Sequence, residues 1–117
     1  MSASTDCPFC RIVAGEIPAD VLAETDHSLA FRDINPQAPV HVLVVPKRHL
    51  DNAATVSHDD AEIAVDLLVT ARQVAKELGV AESGYRLVFN VGDDAANTVG
   101  HLHLHVLGGR RFAWPPG

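Results

Sequence analysis

His101-Leu102-His103-Leu104-His105 sets three imidazoles at every second position of an apolar run that continues through Val106-Leu107 into Gly108-Gly109. In extended chain, alternate residues point to opposite faces. The spacing therefore predicts a strand with the three rings on one face and Leu102, Leu104 and Val106 buried on the other. Imidazoles titrate near neutrality, and a row of them on a rigid strand suits nucleophilic attack, proton transfer or metal ligation. A second chemically competent group is Cys7-Pro8-Phe9-Cys10, which holds the only two cysteines of the chain. Its spacing suits a metal or a redox pair better than a structural disulfide.

The remaining residues supply the elements that hold these groups. Residues 2–6 read as a frayed terminus. A short helical turn is predicted over 8–14, with Pro8 near its start and Gly15 just past its end. Strands are predicted over 21–24, 29–32 and 41–45, the last ended by Pro46. The strongest helical pattern covers 59–78: Ile63, Leu67, Ala71, Val74, Ala75 and Leu78 fall on one stripe, and Glu62, Asp66, Gln73, Lys76 and Glu77 face out. Ser57 is placed to cap it, with Asp60 three residues on, and Gly79 closes it. A further strand over 85–91 leads into a polar loop over 92–97, then the histidine strand and the tail Trp114-Pro115-Pro116-Gly117. No repeat or linker divides the chain. The expected architecture is one α+β domain over 1–117, built on a mostly antiparallel sheet of about five strands with one long and one short helix.

Composition bounds the function. A chain of 117 residues that is 47% apolar supports one core, not two. Fifteen acidic residues against nine Lys and Arg give a formal charge of −6, with no basic stripe, so binding nucleic acid through its phosphates is not expected. There is neither an N-terminal apolar leader nor a run of 18 apolar residues, which predicts a soluble cytoplasmic protein without membrane association.

The histidine run resembles the signature of the histidine triad (HIT) nucleotide-binding superfamily. The resemblance to its Hint branch extends through Glu16-Ile17-Pro18-Ala19, the segment from Ala30 to Pro39, Val44-Val45-Pro46-Lys47-Arg48-His49 and the closing Trp114-Pro115-Pro116-Gly117. It implies a HIT-like fold whose sheet is joined across a homodimer, and a purine nucleoside phosphoramidase that cleaves the P–N bond of adenylated amines. Two alternatives stay open: hydrolysis of dinucleoside polyphosphates, and a nucleotide-binding interaction module with incidental catalysis.

The same resemblance implies site roles. His103 would be the nucleophile, forming a nucleotidyl-histidine that water cleaves, provided an acceptor holds its other ring N–H. His105, His41 and Thr98 would complete the catalytic group, with Thr98 standing where relatives often carry Ser. Asp33 would bind the ribose hydroxyls, and Phe9, Ile12, Ile17, Phe31 and Ile34 would sandwich the base. Asn90 and Asn97 would bind the phosphate and leaving group, and Trp114 would line the opposite protomer's pocket. Cys7, Cys10, His49 and His101 would hold a structural zinc ion. The expected partners are an AMP-like purine nucleotide and a second copy of the chain.

Overall fold

Ser28-Leu29-Ala30-Phe31 and Val42-Leu43-Val44-Val45 are apolar or small at nearly every position, the pattern of strands covered on both faces. In the computed structural model, which describes residues 7–117, they form the middle of the sheet. The strands are β1 (Val21–Glu24), β2 (Ser28–Arg32), β3 (Val40–Pro46), β4 (Tyr85–Val88) and β5 (Leu104–Gly108). They assemble in the order β1-β2-β3-β5-β4, and every neighbouring pair is antiparallel. The expected five-stranded α+β architecture is thus observed. The reading of residues 2–6 as frayed lies outside the described residues.

Pleating divides the sheet into two differently covered faces. On one face Ala30, Val42, Val44, Leu102, Leu104 and Val106 pack against Leu67, Ala71, Val74 and Ala75 of the long helix α2 (Ala61–Glu77). Leu67 is almost wholly buried there, so truncating it to alanine costs roughly 2–5 kcal/mol. On the other face Leu29, Phe31, Leu43 and Val45 meet Cys7, Phe9 and Cys10 at the short helix α1 (Pro8–Val13). Because β3 alternates, Val42 and Val44 serve the α2 face while His41, Leu43 and Val45 serve the α1 face.

The capping box of Ser57 and Asp60 forms, but it closes a 3-10 turn over His58–Asp60, and α2 proper starts at Ala61. Thr70 joins the buried stripe of α2, while Leu78, expected on it, is only partly buried. Gly79 ends the helix in the left-handed conformation at φ 77°, where a side chain would be strained. Asp66 of α2 accepts the hydroxyls of Thr25 and Ser28 at 2.5 and 2.6 Å, tying the β1–β2 turn to the helix.

Two strand expectations need correction. The histidine strand begins at Leu104 instead of His101, and the preceding strand ends at Val88 instead of Val91. In the register that pairs Val44 with Leu104, the residue opposite Leu102 is Pro46, which has no N–H to offer the ladder. Leu102 N–H instead donates to the carbonyl of Leu50 at 2.6 Å. With β5 starting late, β4 finds no ladder partner beyond Val88, which pairs with His105. Side chains still alternate through the irregular part, so Leu102 is buried toward α2 and His101 toward α1. Among the described residues no helix is long and apolar enough to cross a membrane.

Candidate functional site

The α1 face carries a cleft of about 410 Å³. Phe9 and Ile12 of α1, Ile17 of the following loop, and Phe31, Asp33 and Ile34 around the end of β2 form one part of its lining. Thr98, Val99, His103 and His105 form another. Phe31 and Leu43 are buried in the floor, and Ile34 projects almost fully exposed at the rim. Nearly all the expected base-binding and catalytic residues therefore share one cavity that is largely apolar with a few convergent polar groups.

His103 sits in the extended segment just before β5. Its Nδ1–H donates to the backbone carbonyl of His101 at 2.7 Å, so that in the neutral ring Nε2 is the bare nitrogen. The ring of Phe9 meets it edge-on at 5.1 Å between centroids, and His105 meets it at 5.0 Å. Hydrogen bond and packing together fix the plane of the imidazole.

His41 does not line the cleft but stands behind it. The N–H of Gln37 donates to its Nδ1 at 3.0 Å, so its hydrogen resides on Nε2. That Nε2–H lies 2.9 Å from His105 Nδ1 and 3.3 Å from an oxygen of Asp33. His105 Nδ1 is consequently the acceptor, and its own hydrogen resides on Nε2. Burial, reinforced by the neighbouring rings of His103 and His41, pushes His105 down to about 4 against the opposing pull of Asp33. Burial also lowers His41, again opposed by Asp33. Both rings are neutral at physiological pH, and each has one defined donor and one defined acceptor.

A second cluster lies on the far side of His101. Cys7 Sγ is 3.3 Å from His101 Nδ1 and 3.6 Å from His49 Nδ1, and Cys10 Sγ is 3.3 and 3.2 Å from the same atoms. The two Nδ1 atoms are 3.1 Å apart. A tetrahedron of two sulfurs and two nitrogens at zinc bond lengths has edges of roughly 3.3–3.8 Å, and the observed separations lie close to or a little inside them. The outer partners agree. His101 Nε2–H donates to the carbonyl of Pro46 and His49 Nε2–H to Asp51, both fixing a bare Nδ1 toward the cluster. Cys7 Sγ also accepts the N–H of Cys10 at 3.2 Å. Two ring nitrogens and two sulfurs thus converge on one point. The four residues fit a closed metal site.

Three expected residues stand apart. Asn90 and Asn97 do not line the cleft, although Asn97 has a buried side-chain oxygen without a protein partner. Trp114 is 83% exposed and reaches nothing in the cleft of its own chain. Conversely, Gln37, Asp51 and the carbonyls of Pro46 and His101 set the tautomers of the site, and the reading of the sequence did not single them out. Asp51, two residues after His49, carried a local signal. The carbonyls carried none, because a backbone acceptor has no residue type.

Residues 14–112 match the family model described as the HIT domain. An uncharacterised HIT-like protein of Synechocystis is 48% identical over 112 residues, covering 96% of this chain and 97% of the relative. Among solved structures, a HIT family hydrolase of Legionella pneumophila superposes with a TM-score of 0.92 at 50% identity, over 95% of this chain and 99% of that one. A histidine triad nucleotide-binding protein of Candida albicans gives 0.80 at 33% identity, over 93% and 82%.

Proposed function

This chain belongs to the HIT domain family, and from that premise we propose that it is a purine nucleoside phosphoramidase, a nucleotidyl hydrolase for adenylated amines. The observation that carries the reading is the Nδ1–H of His103 held on the His101 carbonyl, with the opposite nitrogen bare in a residue that lines the cleft. A neutral imidazole with a fixed tautomer is an activated nucleophile that needs no base to deprotonate it.

His103 Nε2 attacks the α-phosphorus and the P–N bond breaks. The amine leaves with a proton relayed from solvent through the Thr98 hydroxyl, and water then cleaves the His103–phosphorus bond to release the nucleoside monophosphate. His105, with its hydrogen held on Nε2 by His41, donates to the phosphate oxygens as charge develops there. Asp33 receives the ribose hydroxyls, the apolar lining takes the base, and Asn90 and Asn97 contact the phosphate and leaving group as the substrate seats. Comparing turnover of adenosine 5′-phosphoramidate with that of diadenosine polyphosphates tests the reading. Preferred cleavage of the P–N substrate supports it, and preferred cleavage of the polyphosphate replaces it.

Cys7, Cys10, His49 and His101 would hold a zinc ion. When bound, it supplies a cross-link between α1, the segment after β3 and the run that carries His103. The proposed assembly is a homodimer. Edge strand β4 and the segment after it expose Leu87, Phe89 and Val91, and α2 exposes Val65, Leu68 and Val69, apolar surface that a second copy would cover. Trp114 would then serve the partner's pocket.

A further inference from the structure

The tautomer of His105 depends on that of His41, whose hydrogen is held on Nε2 by the Asp33 carboxylate on one side and, on the other, by one backbone N–H, that of Gln37, donating to Nδ1. This donor sits on an exposed loop between β2 and β3 and stays useful only while the loop keeps its shape. Two internal bonds brace the loop: Asn35 N–H to Asp33 at 2.9 Å, and the Gln37 side-chain amide to the Asn35 carbonyl at 3.1 Å. The brace from outside is Arg110, whose Nε and Nη2 both donate to the Gln37 carbonyl, at 3.3 and 3.2 Å.

Arg110 is itself held in place. Its guanidinium lies 4.2 Å from the centroid of the Phe112 ring, and Arg86 lies 5.0 Å from that same ring. Arg86 in turn donates to the Ala113 carbonyl at 2.9 Å, fastening the tail to β4. Delivery of Arg110 to the loop depends on Gly109, which has φ 87°, and a Cβ there would come within 2.8 Å of the Pro39 Cβ. Only glycine lets the chain leaving β5 pass so close to the loop.

We propose that Arg110 is a positioning residue for the catalytic histidines: it clamps the Gln37 carbonyl, one Cα away from the Gln37 N–H, and so holds the loop in the shape that keeps this N–H on His41 Nδ1, with the hydrogens of His41 and in turn His105 on Nε2. The proposal rests on the phosphoramidase reading for its kinetic consequence but not for its structural one. Arginine suits the task because a planar fork places two donors on one carbonyl and stacks on an aromatic ring at the same time. Lysine, a point charge without a planar fork, cannot do both at once.

The test compares Arg110→Ala and Arg110→Lys with Arg111→Ala, which removes the same charge from the neighbouring exposed position. Long-range ¹⁵N–¹H correlation spectra of histidine-labelled protein report the tautomers directly, without substrate. Wild type and Arg111→Ala are expected to show His41 and His105 each as one Nε2–H tautomer. Arg110→Ala is expected to show averaged tautomers at both rings, with kcat for adenosine 5′-phosphoramidate lowered on the order of tenfold and KM within about twofold. Arg110→Lys is expected to restore less than half of the lost rate. Unchanged His41 and His105 spectra in a folded Arg110→Ala protein overturn the proposal, as does full rescue by lysine. Should the alanine variant fail to fold, Arg110→Gln gives the same spectral reading. If the wild type turns over no nucleoside phosphoramidate, the functional reading falls, while the spectra still decide the role of Arg110.

Discussion

The imidazole of His103 donates to the carbonyl of His101, and the ring of the same His101 points Nδ1 at Cys7 and Cys10. One residue therefore belongs to two centres, through its backbone to the cleft and through its side chain to the cysteine pair. Phe9, between the two cysteines, adds a second link by packing on His103. The candidate metal-binding group and the proposed nucleophile are thereby linked through His101 and Phe9.

If a zinc ion fills the four-residue group, purified protein will carry about one equivalent per chain. Metal analysis of wild type and of Cys7→Ser/Cys10→Ser checks this, with zinc expected in the first and lost in the second. Chelation is expected to lower Tm by several degrees or more and also to weaken AMP binding, because α1 supplies Phe9 and Ile12 to the cleft. Wild type without metal, or a chelated protein with unchanged Tm, contradicts the assignment.

The buried neutral histidines make stability depend on pH in a defined window. His105, at about 4, and His41, also lowered, bind protons less readily in the fold than in the unfolded chain, where the ordinary value is 6.5. As pH falls below about 6.5 the unfolded chain takes up protons that the fold refuses, so their effect is a loss of stability growing toward pH 4. NMR titration of the His105 ring is expected to show it neutral down to about pH 5. A midpoint near 6.5 contradicts the buried, hydrogen-bonded arrangement.

The side-chain pattern around the site was legible in the sequence because it depends only on alternation. His101, His103 and His105 face away from Leu102, Leu104 and Val106 whether or not a ladder forms. The start of β5 was not legible, since it depends on Pro46, 56 residues before Leu102, falling opposite it in the register. The four metal-ligating candidates converge as the family resemblance implied. Tautomer control was hidden for a different reason: Gln37 acts through its N–H, and the acceptors at His101 and Pro46 are carbonyls, so nothing in their side chains advertises the role.

Dimerisation through β4 and α2 predicts that Leu68→Glu, placed on the exposed apolar face of the helix, shifts the protein from dimer to monomer in light scattering with its far-UV spectrum unchanged. A wild-type monomer at micromolar concentration contradicts the proposed assembly.

Truncation before Phe112 removes both Trp114 and the ring on which Arg110 stacks. It is expected to leave a folded protein with altered KM across a series of amine leaving groups and with lowered kcat. Unaltered kinetics across that series contradict any contribution of the tail to the site.

The proposed reaction turns on a bond from His103 to phosphorus. Reaction with adenosine 5′-phosphoramidate, quenched in base within one turnover and followed by proteolysis and mass spectrometry, tests it most directly. An adenylyl group is expected on the peptide containing His103, located on that ring. Loss of the adduct and at least about a thousandfold lower turnover are expected in His103→Ala, with AMP affinity within a few-fold of wild type. An adduct on His105, or near-normal turnover by a folded His103→Ala protein, contradicts it.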